Sequence, residues 1–230
     1  FLNNDTVVTA GWIKGLITAL DRQPETGLAG PMSNSVSGPQ LIADTGYGDD
    51  LEAMQAFARE LSRTKAGQCS VNLRLVGFCL IARRKLIDLI GGFDEDYAIG
   101  NFEDDDLCLR SRIAGFRNIM ARDVFIHHYG SMTFTGNSID YEQVMGKNRT
   151  YFAEKWKNIL EMTEDGYRLH LTMNQRIGIL IEMGEQRYAE DDLAGAVRVF
   201  RRVLEIDPTN SQALNNLGVI QWELGSIDDA

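Results

Sequence analysis

The sequence predicts an α/β domain followed by an all-α segment. Three observations carry that prediction. Apolar runs of strand length alternate with amphipathic helical stretches up to about residue 135. Beyond that point every periodic stretch reads as helix. The tail also repeats at an offset of 34 residues: Leu180 matches Leu214, Gly184 matches Gly218, Leu193 matches Ile227 and Ala196 matches Ala230. That period belongs to helix–turn–helix solenoids.

The elements follow in order. Phe1–Leu2 read as the tail of a buried strand. Thr9 stands where an N-cap belongs, ahead of a helix over about 10–20 that the polar "DRQPETG" ends. "LAGPMSNSVSGPQ" is a short apolar strand and a Gly/Ser/Pro/Asn loop. Residues 51–64 predict a helix, because Leu51, Met54, Phe57, Ala58 and Leu61 recur at helical spacing. "VNLRLVGFCLIARR" reads as a central strand, followed by a short helix "KLIDLI" and the turn "GGFDED". A helix over 103–114 follows, closed by Gly115, since the left-handed position past a helix end suits glycine. "VFIHH" is a short strand, "YGSMTFTGNS" a loop, and 140–158 a further helix.

Composition sets limits on function. The chain has 230 residues, 44% hydrophobic and 24% charged, enough for one or two globular domains. The formal net charge of −10 excludes nucleic acid as a main partner, because phosphate neutralisation needs a basic face. No apolar run approaches the roughly 18 residues of a membrane-spanning helix. Cys69, Cys79 and Cys108 are few, odd in number and without metal-ligand spacing, so free thiols in a reducing compartment are expected. The chain opens "FLNND" without Met and ends "GSIDDA" within a helical hairpin, and it reads as a piece of something longer.

One stretch poses a physical question. "GNFEDDDLCLR" sets Glu103, Asp104, Asp105 and Asp106 side by side at the start of a helix. Acidic residues suit a helix N-terminus, where free N–H groups and the macrodipole favour negative charge. Asp106 and Arg110 stand one turn apart and pair at the surface, worth a few tenths of a kcal/mol. Two other polar clusters fall at strand ends, "NND" at 3–5 and "HH" at 127–128. Ligands of open α/β sheets gather at the carboxyl ends of strands, where Asp and His can hold a divalent cation. "DEDYAIGNFEDDD" does not make an EF-hand loop: Ala98 falls on a ligand position and Gly100 comes one place late.

"FLNNDTVVTAGWIKGLI", "VGFCLIARRKLIDLIGGFDEDYAIGNFEDDDLCLRSRIAGF" and "VFIHHYGSMTF" together resemble family 2 glycosyltransferases with the GT-A fold, a Rossmann-like sheet. The resemblance covers residues 1 to about 135. It implies that Asp5 ligates the metal of a sugar nucleotide, with Asn3 assisting and Asn4 beside the donor. Position 3 is Asn where a strict Asp-x-Asp motif has Asp. The resemblance implies Asp104 as catalytic base, with Glu103 beside it, and a His near the last strand, His127 or His128, completing the metal site. Mg²⁺ or Mn²⁺ is the implied ion. On this reading Glu103 and Asp104 point into the cleft, Asp105 is a first-turn acid, and Asp106 faces Arg110 and solvent. Gly77 leaves room for the acceptor or serves packing. The family's nucleotide-binding half precedes the "NND" strand, so residues 1–138 correspond to the C-terminal part of the domain. That piece alone is expected to be inactive.

Residues 139–171 read as a helical linker and 172–230 as truncated repeats. "VFRRVLEIDPTN" resembles the end of a tetratricopeptide repeat, with Phe200 and Leu204 packing and Pro208 breaking the helix. About three repeats are needed to bury solenoid faces, so the array is expected to continue. The expected protein is a bacterial, metal-dependent, inverting glycosyltransferase of polysaccharide biosynthesis type. Its expected partners are a nucleotide-sugar donor, a glycan, lipid-linked or protein acceptor, and a protein at the repeats. The expected location is cytoplasmic or peripheral at the inner membrane face. The competing expectation is a non-catalytic scaffold that works through its repeats on a degenerate transferase domain.

Overall fold

A computed structural model of the chain describes residues 1–97, 100–130, 141–164 and 166–225. The chain divides into two compact units, one of residues 1–83 and 93–152, the other of 84–92 and 153–230.

The first unit is an α/β layer structure built on a mixed sheet. Its strands are β1 (Thr6–Val8), β2 (Thr26–Met32), β3 (Cys69–Asn72), β4 (Ile81–Ala82) and β5 (Arg117–His128). Its helices are α1 (Trp12–Asp21), α2 (Leu51–Thr64), α4 (Glu103–Ile113) and most of α5 (Tyr141–Lys155). The central strand is β5. On one edge it pairs in parallel with β2, from Thr26↔Arg117 to Met32↔Phe125. On the other edge it pairs antiparallel with β3 near its start and with β1 at its end, where Thr6 faces His128 and Val7 faces His127. β4 closes the far side, antiparallel to β2. Strand β2 is buried at every residue, as a strand covered on both faces must be.

The register of β5 assigns its faces. Ile119, Ala121, Val124 and Ile126 join Leu16, Ala19 and Leu20 of α1 in one core layer, with Phe78 and Cys79. Residues between them point the other way. Asn118 donates to the Cys108 carbonyl of α4 at 2.9 Å, and Phe125 packs edge-on against Phe57 of α2 with ring centroids 5.1 Å apart. The register slips between Ala121 and Phe125, so the two charged residues Arg122 and Asp123 fall in an irregularity rather than in the ladder.

Several sequence expectations are corrected here. Phe1 and Leu2 are exposed, at 51% and 45%; Leu2 makes a short antiparallel bridge to Cys79, and the Phe1 ring packs edge-on against Phe93. Thr9 does not cap α1: its hydroxyl donates to the Phe125 carbonyl at 2.5 Å, and Gly11, at φ +79°, holds the cap position. "VNLRLVGFCLIARR" is not one central strand. It breaks into β3, an irregular stretch and β4, which lie at different places in the sheet. "VFIHH" is the end of a 12-residue strand. The predicted loop "YGSMTFTGNS" lies largely outside the described residues, as do Ile227 and Ala230 of the internal repeat. Helix α2 has the predicted bounds, and Asp50 caps it by accepting the N–H groups of Glu52 and Ala53 at 2.8 and 3.1 Å.

The second unit is mainly helical. It holds α3 (Arg84–Ile90), α6 (Met173–Ala189), α7 (Leu193–Ile206) and α8 (Ser211–Glu223), together with an antiparallel hairpin of β6 (Leu160–Thr163) and β7 (Gly166–Leu169). The hairpin replaces part of the helical linker expected over 139–171. Each repeat helix starts on a legible cap. Thr172 and Gln175 form a reciprocal capping box, Asp192 accepts the Gly195 N–H at 2.8 Å, and Asn210 accepts that of Ala213 at 3.0 Å. Gly184 lets α6 and α7 approach, since a Cβ there would meet the Phe200 ring at 2.5 Å. Phe200, Ala196 and Val203 are buried between them, whereas Leu204 is half-buried.

Candidate functional site

Three of the sequence-marked residues, Asn3, Asp104 and His128, meet the dipeptide Gly77–Phe78. The Gly77 N–H donates to Asp104 Oδ2 at 2.7 Å. The Phe78 ring stacks on His128 at 5.2 Å between centroids, and its carbonyl accepts the Asn3 N–H at 2.8 Å. Asp104 and His128 therefore flank two consecutive residues. Gly77 serves close packing rather than an open acceptor space: a Cβ there would meet Asp104 Cβ at 3.0 Å.

His128 and Asp5 form a polar pair at the end of β5. His128 Nε2 lies 3.3 Å from Asp5 Oδ1, with both side chains nearly buried. The opposite ring nitrogen, Nδ1, lies 2.7 Å from the Ser35 carbonyl. A carbonyl only accepts, so Nδ1 carries the hydrogen. A neutral ring then turns the Nε2 lone pair toward a carboxylate. Two acceptors at that distance need a proton on the ring or a cation shared between them. Asn34 fixes the backbone here, accepting the His128 N–H at 2.9 Å and donating to its carbonyl at 3.2 Å.

His127 points to the other face of β5. Its Nδ1 lies 2.8 Å from the Tyr47 hydroxyl, and its rings of contact are Tyr47 and Tyr129. Burial, then the neighbouring His128, lowers its pKa. Of the two histidines, the geometry brings His128 to Asp5 and sets His127 among aromatic rings. Asn3 and Asn4 are exposed, and the contact of Asn3 with Phe78 is made by its backbone. Among the described residues, no group of three or more His, Cys, Asp and Glu side chains gathers as a metal cluster.

The four acids are not a solvated helix start. Asp104, Asp105 and Asp106 are 5%, 2% and 0% exposed, and α4 is buried along most of its length. Each carboxylate has its own compensation, which buried charge requires. Asp104 accepts the N–H groups of Gly77 and Asp105. Asp105 pairs with Arg74 at 2.9 Å. Asp106 pairs with Arg110 at 2.6 Å and accepts from the Tyr97 hydroxyl at 3.4 Å. The expectation that Asp106 faces solvent is thus overturned. Glu103 differs from the others. Its Oε2 is buried without a hydrogen-bond partner among the described residues, and burial, then the charge of Asp104, pushes its pKa up to about 7.

The chain enters α4 through a strained turn. Gly100, Asn101 and Phe102 all have φ near +70°, a left-handed conformation costly for Phe. Asn148 of α5 holds it there. Its amide lies 2.7, 2.6 and 3.1 Å from the carbonyls of Tyr97, Gly100 and Asn101. Past the helix, Gly115 at φ +86° closes a Schellman motif: Phe116 N–H bonds Ser111 and Gly115 N–H bonds Arg112. Asn34, Ser35 and Asn148 were not singled out from the sequence. The first two sit in a polar loop whose only sequence signal is its Ser/Asn content, and Asn148 carries no signal.

Comparison with known proteins gives two likenesses. The TPR repeat family matches residues 184–225, which the capped helices α6 to α8 overlap. An uncharacterized protein of Sinorhizobium fredii, y4gI, is 24% identical over 118 residues, covering 49% of this chain and 13% of the relative. The chain thus matches only about an eighth of that relative's length. No solved structure matches the chain. The chain is therefore an α/β unit with a mixed sheet, joined to a helical region that carries a TPR repeat.

Proposed function

We propose that the first unit is the acceptor-side part of a metal-dependent, inverting glycosyltransferase of the GT-A type, acting on a nucleotide-sugar donor. The observation that carries this reading is the Asp5–His128 pair, in which Nε2 and a carboxylate oxygen face each other at 3.3 Å while Nδ1 is committed to Ser35. Hard oxygen with at most one imidazole suits Mg²⁺ or Mn²⁺. Asp5 and His128 would hold that ion, which supplies Lewis-acid stabilisation to a departing diphosphate.

Asp104 takes the acceptor proton. A carboxylate offers about four lone-pair sites, and the Gly77 and Asp105 N–H groups occupy two, fixing the group while leaving capacity for a proton. General-base help of this kind is worth roughly 10²–10⁴-fold. Glu103 holds a proton near neutrality, so it adds less negative charge beside Asp104 than a solvated glutamate would. The strained turn and Asn148 set where both side chains start. The TPR repeats recruit a protein, either the acceptor or a partner that delivers it, as such solenoids commonly do.

The scaffold reading draws on the same repeat match. The two readings separate in an assay of nucleoside diphosphate release by the full-length protein with a panel of nucleotide sugars. The transferase reading expects release that falls at least a hundredfold in Asp104→Asn, on the order of the general-base contribution. Equal rates in wild type and Asp104→Asn, or no release from any donor, would leave the scaffold.

A further inference from the structure

A groove of mixed polar and apolar lining lies away from Asp5 and His128. It has a volume of about 630 Å³ and is lined by residues that include Arg22, Arg117 and Arg122, with Gln23, Gln68 and Ser70. Arg122, the groove residue of β5 nearest His128, lies six residues from it, roughly 20 Å along the strand. The chain carries 33 acidic and 23 basic residues, yet among the described residues no carboxylate lines this groove.

The three guanidinium groups are held mainly by neutral acceptors. Arg22 donates to the Gly67 carbonyl and lies against the Cα of Gly67, where any Cβ would displace it. Gly67 sits at φ +71°, a left-handed conformation that favours glycine. Arg117 donates to the Gln23 side-chain oxygen at 2.9 Å, and Arg122 faces the Ser70 hydroxyl at 3.5 Å. The nearby carboxylates lie outside the lining. Glu25 is 3.6 Å from Arg117, and Asp123 is engaged with the Gly67 N–H at 2.6 Å. Ala19, Val71 and Ile119 give the groove apolar surface. Fixed guanidinium forks match the oxygens of phosphate groups, and each has five N–H donors to share.

We propose that this groove binds a diphosphate-bearing ligand through Arg22, Arg117 and Arg122. The charge count, the neutral anchoring of the arginines and the capacity of the groove carry the assignment. It does not depend on the transferase reading.

The test is calorimetric titration of the intact protein with inorganic pyrophosphate in EDTA, which removes any contribution from divalent cations. Saturable binding is expected that weakens as salt is raised. The Arg117→Gln/Arg122→Gln variant should weaken it by about a hundredfold, one order for each charge-assisted hydrogen bond removed. Asp5→Asn should leave it unchanged. Phosphatidylcholine vesicles doped with diacylglycerol pyrophosphate, whose headgroup is a diphosphate, distinguish the ligand's source. Vesicle binding that pyrophosphate displaces assigns a lipid headgroup, and pyrophosphate binding alone assigns a free ligand. No binding at millimolar pyrophosphate overturns the proposal. So does affinity unchanged in the double arginine variant.

Discussion

Replacing Asp106 separates two accounts of the acidic run. As a surface pair one turn apart, Asp106 and Arg110 would contribute a few tenths of a kcal/mol. In the structure they are 2.6 Å apart, with side chains 0% and 9% exposed, and the Tyr97 hydroxyl faces the same carboxylate. Removing one member of a buried pair leaves the other charge in a low-dielectric surrounding, a loss of about 3–5 kcal/mol. Asp106→Ala should therefore cost about 3 kcal/mol or more, a large share of a typical domain stability of roughly 5–15 kcal/mol. The companion Asp106→Leu/Arg110→Met variant removes both charges and keeps the volume, so it should recover most of that loss. Urea unfolding followed at Trp12, with Trp156 and Trp222 changed to Phe, reads the first unit. A loss below about 1 kcal/mol in Asp106→Ala would refute burial of the pair.

Three further tests follow the same logic. Gly184→Val should destabilise the repeat helices by about 1–3 kcal/mol, since its Cβ meets the Phe200 ring, whereas Gly178→Ala, at an exposed position with nothing among the described residues within 4 Å, should stabilise by about 0.5–1 kcal/mol; thermal unfolding of both checks the contrast. Glu103 has a folded pKa of about 7 against an ordinary 4.5, so the folded state binds its proton more tightly and stability falls as pH rises from 4.5 to 7. Glu103→Gln should remove that slope, and its advantage over wild type should grow across this window in denaturant titrations and level off above it. Asn148→Ala should cost about 1–3 kcal/mol by removing the amide from three carbonyls of the left-handed turn, with amide exchange rising at the start of α4.

The legible parts of the sequence were those with local rules. The α2 face and the Gly115 stop each depend on a few adjacent side chains, whereas Thr172, Asp192 and Asn210, caps of the same local kind, were not singled out. β5 was read only from Val124 onward, because Arg117, Arg122 and Asp123 hide its apolar residues, and pairing with β2 and β3 is a long-range event. The hairpin β6–β7 was missed although its sequence carries "DG", a turn signal between short alternating runs. The acidic cluster was recognised as special, but burial of Asp106 depends on Tyr97 and the packing of α4, which spacing does not reveal. Sequence alone left His127 and His128 open. Opposite strand faces separate them, and the Ser35 carbonyl determines which nitrogen of His128 meets Asp5.

The most direct measurement is Mn²⁺ binding by the full-length protein, read by electron paramagnetic resonance, in wild type and in His128→Ala, His127→Ala and Asp5→Ala. The proposed site predicts that Asp5→Ala and His128→Ala each lose Mn²⁺ affinity while His127→Ala keeps it. Equal binding in all four proteins, or loss confined to His127→Ala, would contradict it.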